Sequence, residues 1–231
     1  MISFQTLGLS REGRPVQGRL FPGRAVGTGP PRRLLVFGGI HGDEPASVDA
    51  VLEWGAALGA RGQAADVWVL PAVNPDGLAA GQKNNAADID LNRNFPARNF
   101  MRSHPPGYDP GPAPLSEPET ALLAGLVEEA AIDAIVAVHA PFACVNFDGP
   151  AREWADAVAE ASGWPVRADI GYPTPGSLGS WWGGDRGQPI LTLELPAGPL
   201  DFFRGQALAA LDRALDWWDP VGSSMNLRQI G

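Results

Sequence analysis

Cysteine and histidine are scarce in this sequence. Its 231 residues include one cysteine, Cys144, which excludes both an internal disulfide and a metal site built from several thiolates. The only histidines are His41, His104 and His139. A metal ion bound by this chain must therefore rely on these imidazoles and on carboxylates.

Basic residues are also few, since 17 lysines and arginines stand against 26 aspartates and glutamates, for a net charge of −9. This leaves no basic field to attract nucleic acid or an anionic membrane surface, so we expect neither as a partner. The N-terminus lacks a charged stretch followed by an apolar run, and no window reaches the roughly 18 to 20 apolar residues that span a bilayer. We expect a cytoplasmic protein, either monomer or homodimer.

The chain length and the 45% hydrophobic content predict one domain over residues 1–231. Apolar segments bounded by turn formers predict buried strands at 16–22, 33–39, 66–73, 134–140 and 190–196. Segments with helical spacing lie at 45–60, 119–131, 151–163 and 200–218. This alternation favours an α/β fold with a mixed, largely parallel twisted sheet and helices on both faces. Catalytic groups of such sheets gather at the carboxyl ends of strands.

Two connections carry local signals. Ser116 and Glu119 have the S-x-x-E spacing of a capping box, which predicts a helix beginning near residue 117. Residues 97–116 are dense in proline and glycine and too long for an ordinary connection. We expect this segment to be either a wall of the active site or a mobile loop.

His41 and Glu44 directly follow a predicted strand, in the segment GGIHGDEPAS. The two glycines allow a tight turn that brings both side chains to one point. A catalytic zinc ion typically takes three histidine or carboxylate ligands and leaves a fourth position for water. His139 ends an apolar strand whereas His104 lies in the proline-rich loop, so His139 is the better third ligand. The H-x-x-E spacing alone is weak, because a strand-end histidine is commonly structural.

Glu194 lies inside the apolar segment ILTLELP, where an unpaired charge would be costly. One explanation is a general base that takes a proton from a water molecule and returns it to the leaving amine. The other is a salt bridge to a nearby arginine.

A second polar cluster, DIDLNRNFPARN, places Asp90, Asn92 and Arg93 within four residues, close to the segment NPDG. Turn chemistry explains part of it, because N-P-D-G is a strong turn signal. Arg93 nevertheless offers a planar fork suited to a carboxylate, and Asp90 can orient a metal-bound imidazole through its free ring nitrogen.

Taken in order, HGDE, NPDG, DLNRNF, the strand-end histidine and LTLEL resemble the zinc carboxypeptidase family across nearly the whole chain. The resemblance implies one zinc ion per chain, held by His41, Glu44 and His139. It also implies that Glu194 is the catalytic base.

The same resemblance assigns roles to the second cluster. Asp90 corresponds to the partner of His41 behind the metal, and Asn92 and Arg93 correspond to the groups that grip a substrate carboxylate. The family also has a tyrosine on a flexible loop that closes over the substrate, and Tyr172 sits at the corresponding place. An ordinary loop aromatic is the alternative for Tyr172.

The segments SEPET, HAPFAC and YPTPGSLGSWW are more particular and resemble the bacterial murein peptide amidases within that family. This implies a cytoplasmic enzyme of cell-wall recycling that cleaves the γ-D-glutamyl-meso-diaminopimelate bond of a small peptide bearing carboxylates. Many members have an arginine upstream of DLNRN that polarises the scissile carbonyl. Here the aligned residue is Lys83, which keeps the charge but loses the fork, and we expect it to help stabilise the oxyanion.

Two other functions remain open. A zinc deacylase of N-acyl amino acids, of the aspartoacylase or succinylglutamate desuccinylase kind, uses a similar first motif and a DLNR segment, but NPDG and HAPFAC argue against it. The third possibility is a binding protein on a hydrolase scaffold. The intact set of His41, Glu44, His139 and Glu194 argues against a protein without turnover.

Overall fold

The computed structural model describes residues 3–24 and 30–219, in which one eight-stranded sheet forms the centre of the fold. The strands are β1 (Gln5–Leu9), β2 (Pro15–Phe21), β3 (Arg33–Phe37), β4 (Asp66–Leu70), β5 (Ala134–His139), β6 (Phe142–Asp148), β7 (Val166–Arg167) and β8 (Ile190–Pro196). Their spatial order is β1-β2-β4-β3-β5-β8-β6-β7. Pairs β3-β4, β3-β5, β5-β8 and β6-β7 are parallel, and the other three pairs are antiparallel.

Helices cover both faces of this sheet. They are α1 (Pro45–Arg61), α2 (Pro75–Ala80), α3 (Pro118–Glu129), α4 (Arg152–Ser162) and α5 (Arg204–Trp218). In β3, Leu34 and Val36 belong to an apolar cluster with α1, α4 and α5, whereas Leu35 and Phe37 belong to a second cluster with α3. The predicted fold class, α/β with a mixed, largely parallel sheet, is confirmed. Within the described residues, no helix is long and apolar enough to cross a membrane.

The five predicted strands and the four predicted helices all form, the last helix after a short 3₁₀ turn at Leu200–Phe202. The sequence patterns missed β1, β6, β7, α2 and a π-helical turn at Gly179–Asp185. The segment NPDG, taken as a turn, is the start of α2, where the side chain of Asn74 accepts a hydrogen bond from the backbone of Gly77. One domain over residues 1–231 stays a prediction, since residues 220–231 lie outside the described part.

The capping box predicted at Ser116 and Glu119 is wrong, although the position of the helix start is right. Helix α3 begins at Pro118, and Glu117 occupies the capping position without a side-chain hydrogen bond to the helix. The hydroxyl of Ser116 instead donates to the Glu117 carboxylate at 3.0 Å, and the Glu119 carboxylate accepts from the backbone N–H of Arg11 at 2.9 Å. The neighbouring Glu117 and the distant Arg11 therefore occupy the two side chains of the expected box. Proline in the first turn suits a helix start, because its missing N–H needs no partner there.

The arrangement of strands β3, β5 and β8 determines where a site can form. These strands are parallel neighbours, so their carboxyl ends lie along one edge of the sheet. His139 is the last residue of β5 and pairs in register with Glu194 of β8. The turn after β3 carries His41 and Glu44 to the same edge.

Candidate metal centre and active site

His41, Glu44 and His139 form a compact cluster at this edge. Nδ1 of His41 lies 2.8 Å from Oε1 of Glu44, and Nδ1 of His139 lies 3.1 Å from Oε2 of the same carboxylate. One ligand atom from each residue falls within 4.8 Å of the other two. His104 does not join the cluster, and its Nε2 lies 3.6 Å from Asp109.

Local backbone geometry directs these side chains. Gly39 adopts a left-handed conformation with φ +58°, which turns the chain sharply after β3. Its N–H donates to the hydroxyl of Ser47 at 3.0 Å, and that hydroxyl donates to the carbonyl of Glu44 at 2.7 Å. Glu44 stands immediately before α1 but does not cap it, so its carboxylate is available to the two histidines.

The cluster fits a zinc ion, because two imidazole nitrogens and a carboxylate oxygen are the donor set of many catalytic zinc sites. Burial alone would lower the pKa of His41, but hydrogen bonds with Asp90 and Glu44 raise it to about 9. Burial would raise the pKa of Glu44, but the charge and hydrogen bonds of His139 and His41 lower it to about 2. These pKa shifts show that the carboxylates of the cluster favour a positive charge on the imidazoles. A bound cation would supply that charge.

Asp90 lies behind His41 and is fully buried. Its Oδ1 is 3.2 Å from Nε2 of His41 and accepts from the backbone N–H of Asn92 at 2.9 Å. Burial would raise the pKa of Asp90, but the hydrogen bond to His41 and the nearby charges of His41, Arg93 and Lys83 hold it well below its ordinary value. A proton on Nε2 leaves the Nδ1 lone pair of His41 for a metal ion, which is the arrangement expected of a metal-binding histidine.

Glu194 is buried, with 5% of its surface exposed. Its Oε2 has no hydrogen-bond partner, and no ion pair of the described residues includes it. The alternative of a salt bridge to an arginine therefore finds no support in the described part of the chain. Burial raises the pKa of Glu194 above its ordinary value. A buried carboxylate with a free oxygen beside a metal cluster is able to accept and return a proton.

Asn92 and Arg93 lie in a single 3₁₀ turn, Leu91–Arg93, that begins at Asp90. Oδ1 of Asn92 accepts from the backbone N–H of Leu178 at 3.0 Å, so its amide N–H groups remain available. Arg93 is 5% exposed and donates to the carbonyl of Asn92, yet no carboxylate of the described residues forms an ion pair with it. A buried guanidinium that forms no direct ion pair with a carboxylate is a candidate anion-binding group.

Lys83, the only lysine of the sequence, is already engaged. Its Nζ lies 2.6 Å from Oδ2 of Asp90, 3.1 Å from the carbonyl oxygen of Gly107 and 3.6 Å from the ring centroid of Tyr108. Sequence reasoning missed these contacts, which join Lys83 to the partner of His41 and to the proline-rich segment. An ammonium group has three N–H donors, and the two oxygen acceptors account for two of them.

The two tyrosines of the sequence, Tyr108 and Tyr172, face each other with ring centroids 6.3 Å apart. Tyr172 is 37% exposed and also lies 6.3 Å from the ring of Phe142. Tyr108 belongs to the proline-rich segment 97–116 and receives the cations of both Lys83 and Arg93 on its ring. Sequence reasoning did not single out Tyr108; the unusual length of its loop was the available signal.

One cavity of ≈ 620 Å³ unites these groups. Eight of the nine predicted site residues line it, and the ninth, Asp90, lies behind His41: the lining set is His41, Glu44, Lys83, Asn92, Arg93, His139, Tyr172 and Glu194. The lining also includes residues that sequence reasoning missed, namely Tyr108, Asn146, Asp148 and Thr192. The last three come from β6 and β8 at alternate positions, on the same side as Glu194.

The sequence profile of the zinc carboxypeptidase family matches residues 1–150, well over half of the chain. This protein belongs to the zinc carboxypeptidase family. It is accordingly a hydrolytic metalloenzyme. The matched span contains the three residues of the metal cluster as well as Asp90, Asn92 and Arg93, whereas Tyr172 and Glu194 lie beyond it.

Among its relatives in the family is murein peptide amidase A of Escherichia coli strain K12, 34% identical over 198 residues that cover 79% of each chain. Murein peptide amidase A of Vibrio campbellii is 34% identical over 177 residues, 71% of this chain and 69% of that one. The crystal structure of a murein-tripeptide amidase from Escherichia coli O157 superposes with a TM-score of 0.75 at 30% identity, covering 93% of this chain and 92% of the other. Carboxypeptidase A from Helicoverpa armigera shares the fold at 17% identity, with a TM-score of 0.77 over 92% of this chain and 67% of that chain.

Replacing His139 tests the composition of the metal centre. We expect His139→Ala to weaken zinc binding by at least about 100-fold, more than the loss of an outer hydrogen-bond partner typically costs. His104→Ala is the matched control, because it removes a histidine that lies outside the cluster. Titration of the zinc-free proteins against a chelator of known affinity measures both. Equal zinc affinity in the two variants would contradict the assignment.

Proposed function

We propose that this protein is a zinc-dependent amidase that cleaves the γ-D-glutamyl-meso-diaminopimelate bond of murein peptides, in cytoplasmic recycling of the cell wall. The observation that carries the proposal is the presence, in one cavity, of the His-Glu-His cluster, a free buried carboxylate and a buried arginine that forms no direct ion pair with a carboxylate. Such a set suits an amide substrate with a carboxylate close to the scissile bond. The names of the relatives supply the murein peptide as substrate.

His41, Glu44 and His139 would hold one zinc ion per chain. When bound, zinc supplies Lewis acidity, which makes a water molecule easier to deprotonate and a carbonyl easier to attack. Asp90 fixes the orientation of His41 through Nε2.

Glu194 is the proton carrier. Its Oε2 takes a proton from the attacking water molecule, and the raised pKa makes the carboxylate a better base than an exposed glutamate. The same oxygen then protonates the leaving amine, so the carboxylate is regenerated at the end of each cycle.

Arg93 and Asn92 bind the substrate carboxylate on the amine side of the scissile bond. Arg93 provides a fixed guanidinium fork, and the amide N–H groups of Asn92 add donors, since its oxygen is held by Leu178. Tyr172, half-exposed at the cavity wall, covers the bound peptide. The chain is acidic overall, so the concentration of Lys83 and Arg93 in the cavity counteracts long-range repulsion of an anionic substrate.

A substrate panel tests the proposed reaction. The zinc-loaded protein should hydrolyse L-alanyl-γ-D-glutamyl-meso-diaminopimelate with a kcat/KM at least about 100-fold above that for N-acetylaspartate or N-succinylglutamate. Only the peptide carries a γ-D-glutamyl group on one side of the scissile bond and diaminopimelate on the other. Rates are measured by release of the free amine. A clear preference for the acyl amino acids would instead support a zinc deacylase.

Substitution of Glu194 tests the proton carrier. Glu194→Gln keeps the shape of the side chain but removes the base, so kcat should fall by about 10²–10⁴-fold. Zinc affinity and KM should stay within about threefold, because the ligands are unchanged. Near-normal turnover in this variant would refute the assignment.

We propose that Lys83 stabilises the oxyanion with its third N–H donor, because Asp90 and the carbonyl of Gly107 accept from the other two. Lys83→Met should lower kcat by about 10²–10³-fold at saturating zinc, whereas Lys83→Arg, which keeps the charge, should retain most of the turnover. Zinc affinity is measured in parallel. If the loss of activity in Lys83→Met disappears at high zinc concentration, Lys83 acts only through Asp90 and the oxyanion role is wrong.

A further inference from the structure

The floor of the catalytic cavity is a ribbon formed by β6 and β8. In this antiparallel pair Glu194 faces Cys144, Thr192 faces Asn146 and Ile190 faces Asp148. Residues opposite each other and two apart along a strand point to the same side of a sheet. Asp148 therefore lies on the same side as Glu194, four residues along the ribbon, or roughly 13 Å at the usual rise of a strand.

Asp148 is a carboxylate without a partner. It lines the cavity and is partly buried, and among the described residues no hydrogen-bond donor or cation reaches its side chain. Burial raises the pKa of Asp148, and no charged neighbour opposes this effect. Partial burial of an uncompensated charge is unfavourable, so the stability of the fold alone does not account for this residue.

The π-helical turn Gly179–Asp185 leaves room for this carboxylate. A Cβ atom at Gly179 would lie 2.2 Å from Oδ2 of Asp148, and one at Gly183 would lie 2.3 Å from its Cβ atom. Only glycine at these two positions leaves Asp148 undisturbed. Single-turn π-helices are frequent at functional sites.

We infer that Asp148 binds a second ammonium group of the substrate, carried on the amine side of the scissile bond several bonds beyond the carboxylate that Arg93 holds. This inference rests on the proposed function and deepens it, because it names the residue that selects a diamino acid over a monoamino acid as the leaving group. Asn146 and Thr192, between Glu194 and Asp148 on the ribbon, line the path of the connecting arm.

The dimensions and charges of the cavity suit such a substrate. In an extended 2,6-diamino acid the distal nitrogen lies roughly 6 Å from the first α-carbon, given bond lengths of about 1.5 Å. An arm of this length covers about half of the roughly 13 Å that the ribbon sets between Glu194 and Asp148. Arg93 serves the carboxylate end of the leaving group, and Asp148 provides the opposite charge for its second ammonium group.

Paired substrates that differ only in the distal ammonium group test the inference. One peptide ends in γ-D-glutamyl-meso-diaminopimelate and the other in γ-D-glutamyl-L-2-aminopimelate, which lacks the second amine. The wild-type protein should prefer the first by on the order of 10- to 100-fold in kcat/KM, the usual effect of a charged hydrogen bond. In Asp148→Asn the preference should collapse to within about threefold, through loss on the diamino substrate.

Asp169→Asn is the matched control, since Asp169 is an exposed acid at the cavity rim whose Oδ1 already accepts from the backbone of Gly171. This variant should keep the preference. A preference that survives in Asp148→Asn, or that collapses equally in Asp169→Asn, overturns the inference. Melting curves check folding; if Asp148→Asn does not fold, Gly179→Ala takes its place, because the added Cβ must displace the carboxylate.

Calorimetry with the free amino acids separates this inference from the proposed function. Diaminopimelate should bind the wild-type protein more tightly than 2-aminopimelate by a similar factor, and Asp148→Asn should abolish the difference. Failure to cleave either peptide refutes the proposed function. In that case, equal affinities of the wild-type protein for the two amino acids refute the role of Asp148 as well. Cleavage of both peptides at equal rates overturns the role of Asp148 alone.

Discussion

The active site depends on one buried carboxylate. Asp90 has no solvent exposure, and a buried charge typically costs several kcal/mol unless it is paired. Here Nε2 of His41, Nζ of Lys83 and the backbone N–H of Asn92 surround it. Because Nε2 is held from behind, Nδ1 of His41 is directed at Glu44, where the cluster would hold a metal ion. Because Lys83 also contacts Gly107 and Tyr108, the same carboxylate connects the proline-rich wall to the metal cluster.

The sheet brings the remaining groups together. Parallel pairing of β3, β5 and β8 puts residues far apart in sequence at one edge, and the register of β5 with β8 sets His139 beside Glu194. The antiparallel strand β6 then extends the floor away from the metal cluster. Glu194, the proposed base, and Asp148, the proposed selectivity residue, therefore lie at the two ends of one ribbon, so the same backbone hydrogen bonds fix the distance between them.

Sequence patterns predicted the central strands because these strands are buried on both faces and appear as continuous apolar runs. Glu194 stood out for the same reason, since a charge inside such a run needs an explanation. Strand β6 was missed because Asn146 and Asp148 interrupt its apolar run. Asn94 donates to Ser116 and Arg11 donates to Glu119, both from distant segments, which is why a local spacing rule gave the wrong contacts. The isolation of Asp148 likewise depends on glycines thirty residues away, which no local pattern reports.

The central claim is that His41, Glu44 and His139 bind one zinc ion next to the free oxygen of Glu194. A crystal structure of the zinc-loaded protein, with anomalous data collected on both sides of the zinc absorption edge, tests it most directly. We predict a single anomalous peak bonded to Nδ1 of His41, Nδ1 of His139 and the Glu44 carboxylate, with Nε2 of His41 still hydrogen-bonded to Asp90. A peak at His104, or none at the cluster in a zinc-saturated crystal, would contradict it.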